Sequence, residues 1–244
     1  MNVRREGEAY VAEENGEVVG SARPDTDGGL ILELREPREG VALALLRAAA
    51  VERPKLAADK VPSFGSVHLQ TDDQDEVMKL VQRLVPRVLA SRRTVVAPPR
   101  NGWIAVYDPE ADSDPRKLAA LGRELSSASG LVTLTLGVEA GRLVHVIALE
   151  RGRLLDEYVS VPSLRAAASG DQIALRANPT VLSRLTGANS ARIRSVLRTA
   201  DSPDELPRAE ELIVEVAAAL GLEGAYHGFE RASDMPGAVV VDHA

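Results

Sequence analysis

Histidine is the residue whose charge most readily changes near neutral pH, and this chain has four: His68, His145, His227 and His243. No two stand four residues apart, so the helical spacing of a paired metal site is missing and no metal ligand is assigned. His68 and His145 each sit among apolar neighbours of an expected strand, which reads as core or cross-strand packing. His227, beside Tyr226, is a freer candidate without a partner in the sequence. Carboxylates cluster twice. Asp72-Asp73-Asp75-Glu76 is read as the cap and first turn of a helix, where negative charge is favoured. Asp108, Glu110, Asp112 and Asp114 alternate as in a calcium loop, but the glycine and glutamate such a loop requires are missing, and solvated loop charge is the reading adopted. Asp156-Glu157-Tyr158 is placed where polar groups could project into a cleft, and Trp103, the only tryptophan, is read first as packing. There is no Gly-x-Ser-x-Gly elbow, Walker loop or dinucleotide fingerprint, so no catalytic residue is assigned.

The elements that would position these groups follow from periodicity and turn chemistry. Residues 8–14 and 17–22 read as a hairpin closed by Asn15-Gly16, because both turn positions need positive φ. Leu30-Ile31-Leu32-Glu33-Leu34 is a third strand, and Gly40 opens an apolar helix. A strand is expected over 66–71. The helix after it carries Val77, Leu80, Val81 and Leu84 on one face, and Pro86 is expected to interrupt it. Ala97-Pro98-Pro99-Arg100-Asn101-Gly102 reads as a linker and sets a domain boundary, giving domains 1–97 and 98–244. The second domain begins with a strand at 103–107 and an acidic loop at 109–114. Pro115 opens a helix, and Gly130 ends it. A meander follows over 131–138, 143–150 and 154–161. Helices are expected at 180–185, 190–198 and 207–220, then a short strand over 225–231 and an apolar last strand from Ala238. The fold class expected is α+β, in two small domains. The first is β-β-β-α-β-α; the second is an antiparallel β-α-β-β-β sheet followed by helices.

Composition bounds the partners. The chain has 244 residues, 45% hydrophobic and 27% charged, the profile of a globular protein. With no cysteine there is no disulfide, thiolate metal site or cysteine nucleophile. No apolar run approaches the ~20 residues of a membrane span, and basic Arg4-Arg5 is followed by no apolar stretch, so neither membrane nor secretory signal is expected and a cytoplasmic location is the default. The formal net charge is −7, which disfavours nucleic acid as the main partner. Only four of the 29 basic residues are Lys, which together with the Ala and Val content suits a GC-rich bacterial genome. The apolar helix at 41–50 and a meander with an unpaired edge are both compatible with a homodimer.

One resemblance goes further. Tyr10-Val11-Ala12-Glu13-Glu14-Asn15-Gly16-Glu17-Val18-Val19-Gly20 resembles the central hairpin of the GNAT acyltransferase fold, and Arg38-Glu39-Gly40-Val41-Ala42-Leu43 resembles that fold's coenzyme A loop. Val67-His68-Leu69-Gln70-Thr71 and the helix after it resemble the family's next strand and helix. The resemblance implies that acetyl-CoA or another acyl-CoA would lie on the backbone N–H groups of Arg38, Gly40, Val41 and Ala42. The chain departs from the family's loop at Pro37 and from its frequent helix tyrosine at Val81. Two functions therefore stand: a non-catalytic binding or interaction protein, its ligand or protein partner unidentified, and an acyl-CoA-dependent N-acyltransferase or a degenerate relative.

Overall fold

A computed structural model describes residues 2–6, 9–24, 30–35, 41, 45, 63–166 and 168–243. The chain divides into two compact units, residues 1–61 and 62–244. The division expected at 97/98 is therefore displaced: the Pro98-Pro99 segment lies inside the second unit, and the expected β-β-β-α-β-α order is shared between the units.

The first unit holds a four-stranded antiparallel sheet in chain order: β1 (Asn2–Glu6), β2 (Ala9–Glu14), β3 (Glu17–Pro24) and β4 (Leu30–Leu34). Asn15 (φ 54°) and Gly16 (φ 83°) form the expected turn between β2 and β3. Tyr10, Ala12 and Ala22 pack with Val41 and Leu45, both helical and buried.

The second unit is built on a seven-stranded sheet of β5 (Phe64–Leu69), β6 (Arg93–Val96), β7 (Ile104–Tyr107), β8 (Val132–Glu139), β9 (Leu143–Glu150), β10 (Arg153–Val159) and β11 (Val239–Asp242). Its order is β10-β9-β8-β5-β7-β6-β11, and every neighbouring pair is antiparallel. The fold is thus α+β, with the expected meander β8-β9-β10 forming one side of the sheet. β5 lies between β8 and β7, which is why residues 62–97 cannot be separated from the rest.

Strand alternation gives the sheet two apolar faces. On one, Val67, Leu69, Ile104 and Val106 meet α1 (Gln74–Val88) and α3 (Pro115–Ser129). On the other, Leu134, Leu136, Val144 and Val146 meet α5 (Pro179–Thr186), α6 (Ser190–Val196) and α7 (Ala209–Leu220). Two shorter helices, α2 (Pro109–Ser113) and α8 (Phe229–Ala232), replace the acidic loop and the short strand expected there, and α4 (Ser169–Ala174) follows β10. Asp73 caps α1 by accepting from Glu76 N–H at 2.9 Å. Pro86 does not interrupt α1. It sits in the last turn, where its missing N–H forfeits a single bond, and Leu89 N–H still reaches Val85 O at 2.8 Å. Among the described residues no helix is long and apolar enough to cross a membrane.

Candidate functional site

The acidic run after β7 organises the site. Asp108 caps α2 by accepting from Glu110 N–H at 2.9 Å, and Pro109 occupies the first helical position, where an N–H would find no helical partner. The four carboxylates do not converge as cation ligands would. Asp108, fully buried, accepts from the Ser91 and Thr94 hydroxyls, the latter at 2.8 Å. Glu110 pairs with Lys117, and Asp114 caps α3 by accepting from Arg116 N–H at 2.8 Å. Asp112, one turn on from Asp108, turns inward. Its Oδ1 accepts from Gly65 N–H at 3.0 Å and its Oδ2 from Phe229 N–H at 2.7 Å, tying α2 to β5 and α8.

That carboxyl stands in the wall of a cleft of about 960 Å³. Ser63 and Phe64 enter from the start of β5, and Arg92 and Arg93 from the start of β6. Glu210 and Val214 come from α7, and Tyr226 and Gly228 to Arg231 from the segment around α8. Burial pushes the Asp112 carboxyl up to about 6, assisted by the negative charges of Asp108 and Glu230 and opposed by its two amide donors. Gly228 makes this approach feasible: a Cβ there would lie 2.7 Å from Asp112 Oδ2 and 3.1 Å from Phe64 Cβ. Behind the wall, the Tyr107 hydroxyl donates to Gly224 O at 3.0 Å, and burial drives its ionisation further up, with Tyr226 and Asp112 adding to the effect.

Arg92 and Arg93 are fixed at the backbone. His243 N–H donates to Arg92 O at 2.8 Å, and Arg93 pairs in register with Asp242 of β11. Thr94 donates to Asp108, so its contact of 2.9 Å with His243 Nε2 makes that nitrogen the donor and leaves Nδ1 as the ring's acceptor. Among the described residues, the guanidinium groups of Arg92, Arg93 and Arg231 have no carboxylate within ion-pair distance.

No family model, curated protein or solved structure matches this chain.

The other sequence candidates fall elsewhere. Arg38, Gly40 and Ala42 lie outside the described residues; Val41 is a buried helical residue in the core of the first unit. His68 is buried with Ser66 Oγ at 2.9 Å from its Nε2, and burial pushes it down to about 3. His145 is also buried, with Nε2 2.9 Å from Glu157 and Nδ1 3.7 Å from Glu139, which itself pairs with Arg165. Residues 156–158 do not open into a cleft: Asp156 accepts from Asn178 N–H at 2.8 Å, Glu157 meets His145, and the Tyr158 hydroxyl donates to Arg198 O at 2.7 Å. Trp103 is buried in the core with Leu134 and Val146. His227 lies beside the cleft, its ring 4.4 Å from that of Tyr226, and burial followed by the Arg231 charge lowers its proton affinity. Sequence reasoning read Asp112 as solvated loop charge, where the structure buries it, and passed over the three arginines. The available signal was Asp108 followed by Pro109, a cap and first helical residue that place Asp112 one turn into a helix.

Proposed function

We propose that this is a non-catalytic binding protein whose ligand occupies the cleft beside Asp112. The observation that carries this reading is that three arginines without a carboxylate partner among the described residues, Arg92, Arg93 and Arg231, line one cleft together with Phe64, Tyr226 and Phe229. Guanidinium groups bind carboxylate and phosphate oxygens in paired hydrogen bonds, and aromatic faces take flat apolar groups. The ligand class is therefore an anion carried next to an aromatic or apolar group. The volume, about 960 Å³, falls in the range of small-molecule sites. The polar groups of the wall serve structure: Ser63 Oγ accepts from Ala140 N–H at 2.9 Å, and both Asp112 oxygens accept amides.

The test is an amide-resolved NMR titration with hydrocinnamate, with acetate and benzyl alcohol as the charge-only and ring-only controls. Saturable shifts at cleft residues with hydrocinnamate, lost in Arg92→Ala/Arg231→Ala, support the reading. Equal responses to all three probes, or shifts confined to residues outside the cleft, overturn it. Acetyl-CoA added in the same experiment addresses the acyltransferase alternative, for which shifts should centre on Gly40 and vanish in Gly40→Asp.

A further inference from the structure

The cleft wall is held by one carboxyl group with a double duty. Asp112 accepts from Gly65 N–H of β5 and Phe229 N–H of α8, two elements separated by more than 150 residues. Phe64, next to Gly65, and Phe229 itself both line the cleft. A carboxylate accepts strongly at both oxygens, whereas a carboxylic acid turns one of them into a hydroxyl that donates and is a much weaker acceptor for an N–H. Resting on the binding function proposed above, we propose that Asp112 is a proton-operated clamp on the cleft: ionised, it holds the β5 and α8 walls in binding register, and protonated, it releases one of them and weakens binding of the anionic ligand.

The surroundings support reversible protonation in the mildly acidic range. Burial disfavours the anion most, and the carboxylates of Asp108, at the cap of the same helix, and Glu230, on α8, add to that. Glu110 on α2 is already engaged by Lys117 of α3. Tyr107 of β7 is held neutral by its own burial. Arg92 and Arg93 at β6, Arg231 on α8, Glu210 on α7 and Tyr226 between α7 and α8 also line the cleft, with His227 next to Tyr226. On the inner side, Asp112 shares a small enclosed space with Glu139 at the end of β8 and His145 on β9. His227, its proton affinity lowered by burial and by Arg231, and His145 both stand near Asp112, so the test must read Asp112 directly.

The experiment follows the side-chain carboxyl carbon of Asp112 and the amides of Gly65 and Phe229 by NMR between pH 7.5 and 5, and measures hydrocinnamate affinity from pH 7.5 to 5.5, where that probe stays predominantly ionised. The expected result is one shared midpoint near 6 for the three signals. Affinity should be about fourfold weaker at pH 5.5 than at pH 7.5, the ratio set by the ionised fraction of the carboxyl. Asp112→Asn should abolish the amide titration. Glu230→Gln, an exposed change compatible with an intact fold, should move the midpoint to lower pH by removing a neighbouring negative charge. Amides that stay constant over this range, or titrate unchanged in Asp112→Asn, overturn the clamp. A shared midpoint with no hydrocinnamate binding at any pH supports the clamp and removes the binding function instead.

Discussion

His68 and Asp112 are both displaced by burial, and they act on stability in opposite directions. His68 is pushed down to about 3 from an ordinary value of 6.5, so between those values the unfolded chain holds more protons and stability falls as pH falls. Asp112 is pushed up to about 6 from 3.8, so there the folded chain holds more protons and stability falls as pH rises. Between about pH 4 and 6 the two slopes offset one another. Asp112→Asn removes one of them, and its unfolding free energy should fall on acidification more steeply than that of the wild type, by up to about 1.4 kcal/mol per pH unit. Urea unfolding at several pH values measures this, and parallel curves for the two proteins would refute it. His145 makes a second prediction. Its charge-assisted contact with Glu157 is mostly buried, so Glu157→Gln should destabilise by about 2 kcal/mol, read as a lower urea midpoint with an unchanged slope. This pair was illegible in the sequence for a specific reason. In an unbroken register Glu157 would face the side of Val146, away from His145; the bulge between Leu154 and Asp156 turns it to the His145 side.

Helix α3 shows how closely an element must approach the sheet to make it rigid. A Cβ on Gly65 would lie 2.5 Å from Leu118 Cδ2, and one on Gly137 3.0 Å from the same atom. Gly122, on the helix itself, meets the Thr135 methyl group. Gly122→Ala gains helix propensity of about 1 kcal/mol but forces that contact apart, and overpacking of this kind costs about 1–3 kcal/mol. The variant should be less stable than the wild type. Thr135→Ser, which removes the methyl and keeps the hydroxyl, should recover part of the loss in the double variant. A thermal-unfolding cycle of the four proteins gives the coupling, and additivity within about 0.5 kcal/mol would show that the contact is relieved elsewhere. Elements were the most legible scale. The Asn15-Gly16 turn, the Asp73 cap, the Gly130 stop with φ 72°, and the meander over β8–β10 all follow from local chemistry. Helix α2 did not, because alternating Asp and Glu read as solvent-facing loop. Asp108 followed by Pro109 is equally a cap and a first helical residue, and what decides is the buried pair Ser91 and Thr94, brought there by the chain segment before β7.

At the scale of the whole molecule, the decisive feature is where one early strand goes. β5 pairs with β8 across more than 60 residues, Phe64 opposite Val138, and with β7 through Val67 opposite Val106. Nothing local in residues 64–69 encodes those neighbours, whereas the Pro98-Pro99 stretch carries a strong local signal for a break. Within the structure that stretch leads only to a tight turn, Asn101 (φ 52°) and Gly102 (φ 79°), between the adjacent strands β6 and β7. The two divisions predict opposite outcomes for truncated chains. Residues 62–244 keep all seven strands, and the described residues of the clusters around that sheet all lie within them. This piece should unfold cooperatively and give amide shifts over β5–β11 close to those of the full chain. Residues 98–244 lack β5, α1 and β6, so the edges of β8 and β7 are left unpaired and the α1 face of the cluster around Leu121 and Leu125 is uncovered. Unpaired edges and exposed apolar faces favour aggregation. That piece should lack native amide dispersion or aggregate. Native-like spectra from 98–244 would instead restore the Pro98-Pro99 boundary and make the β5 pairing dispensable.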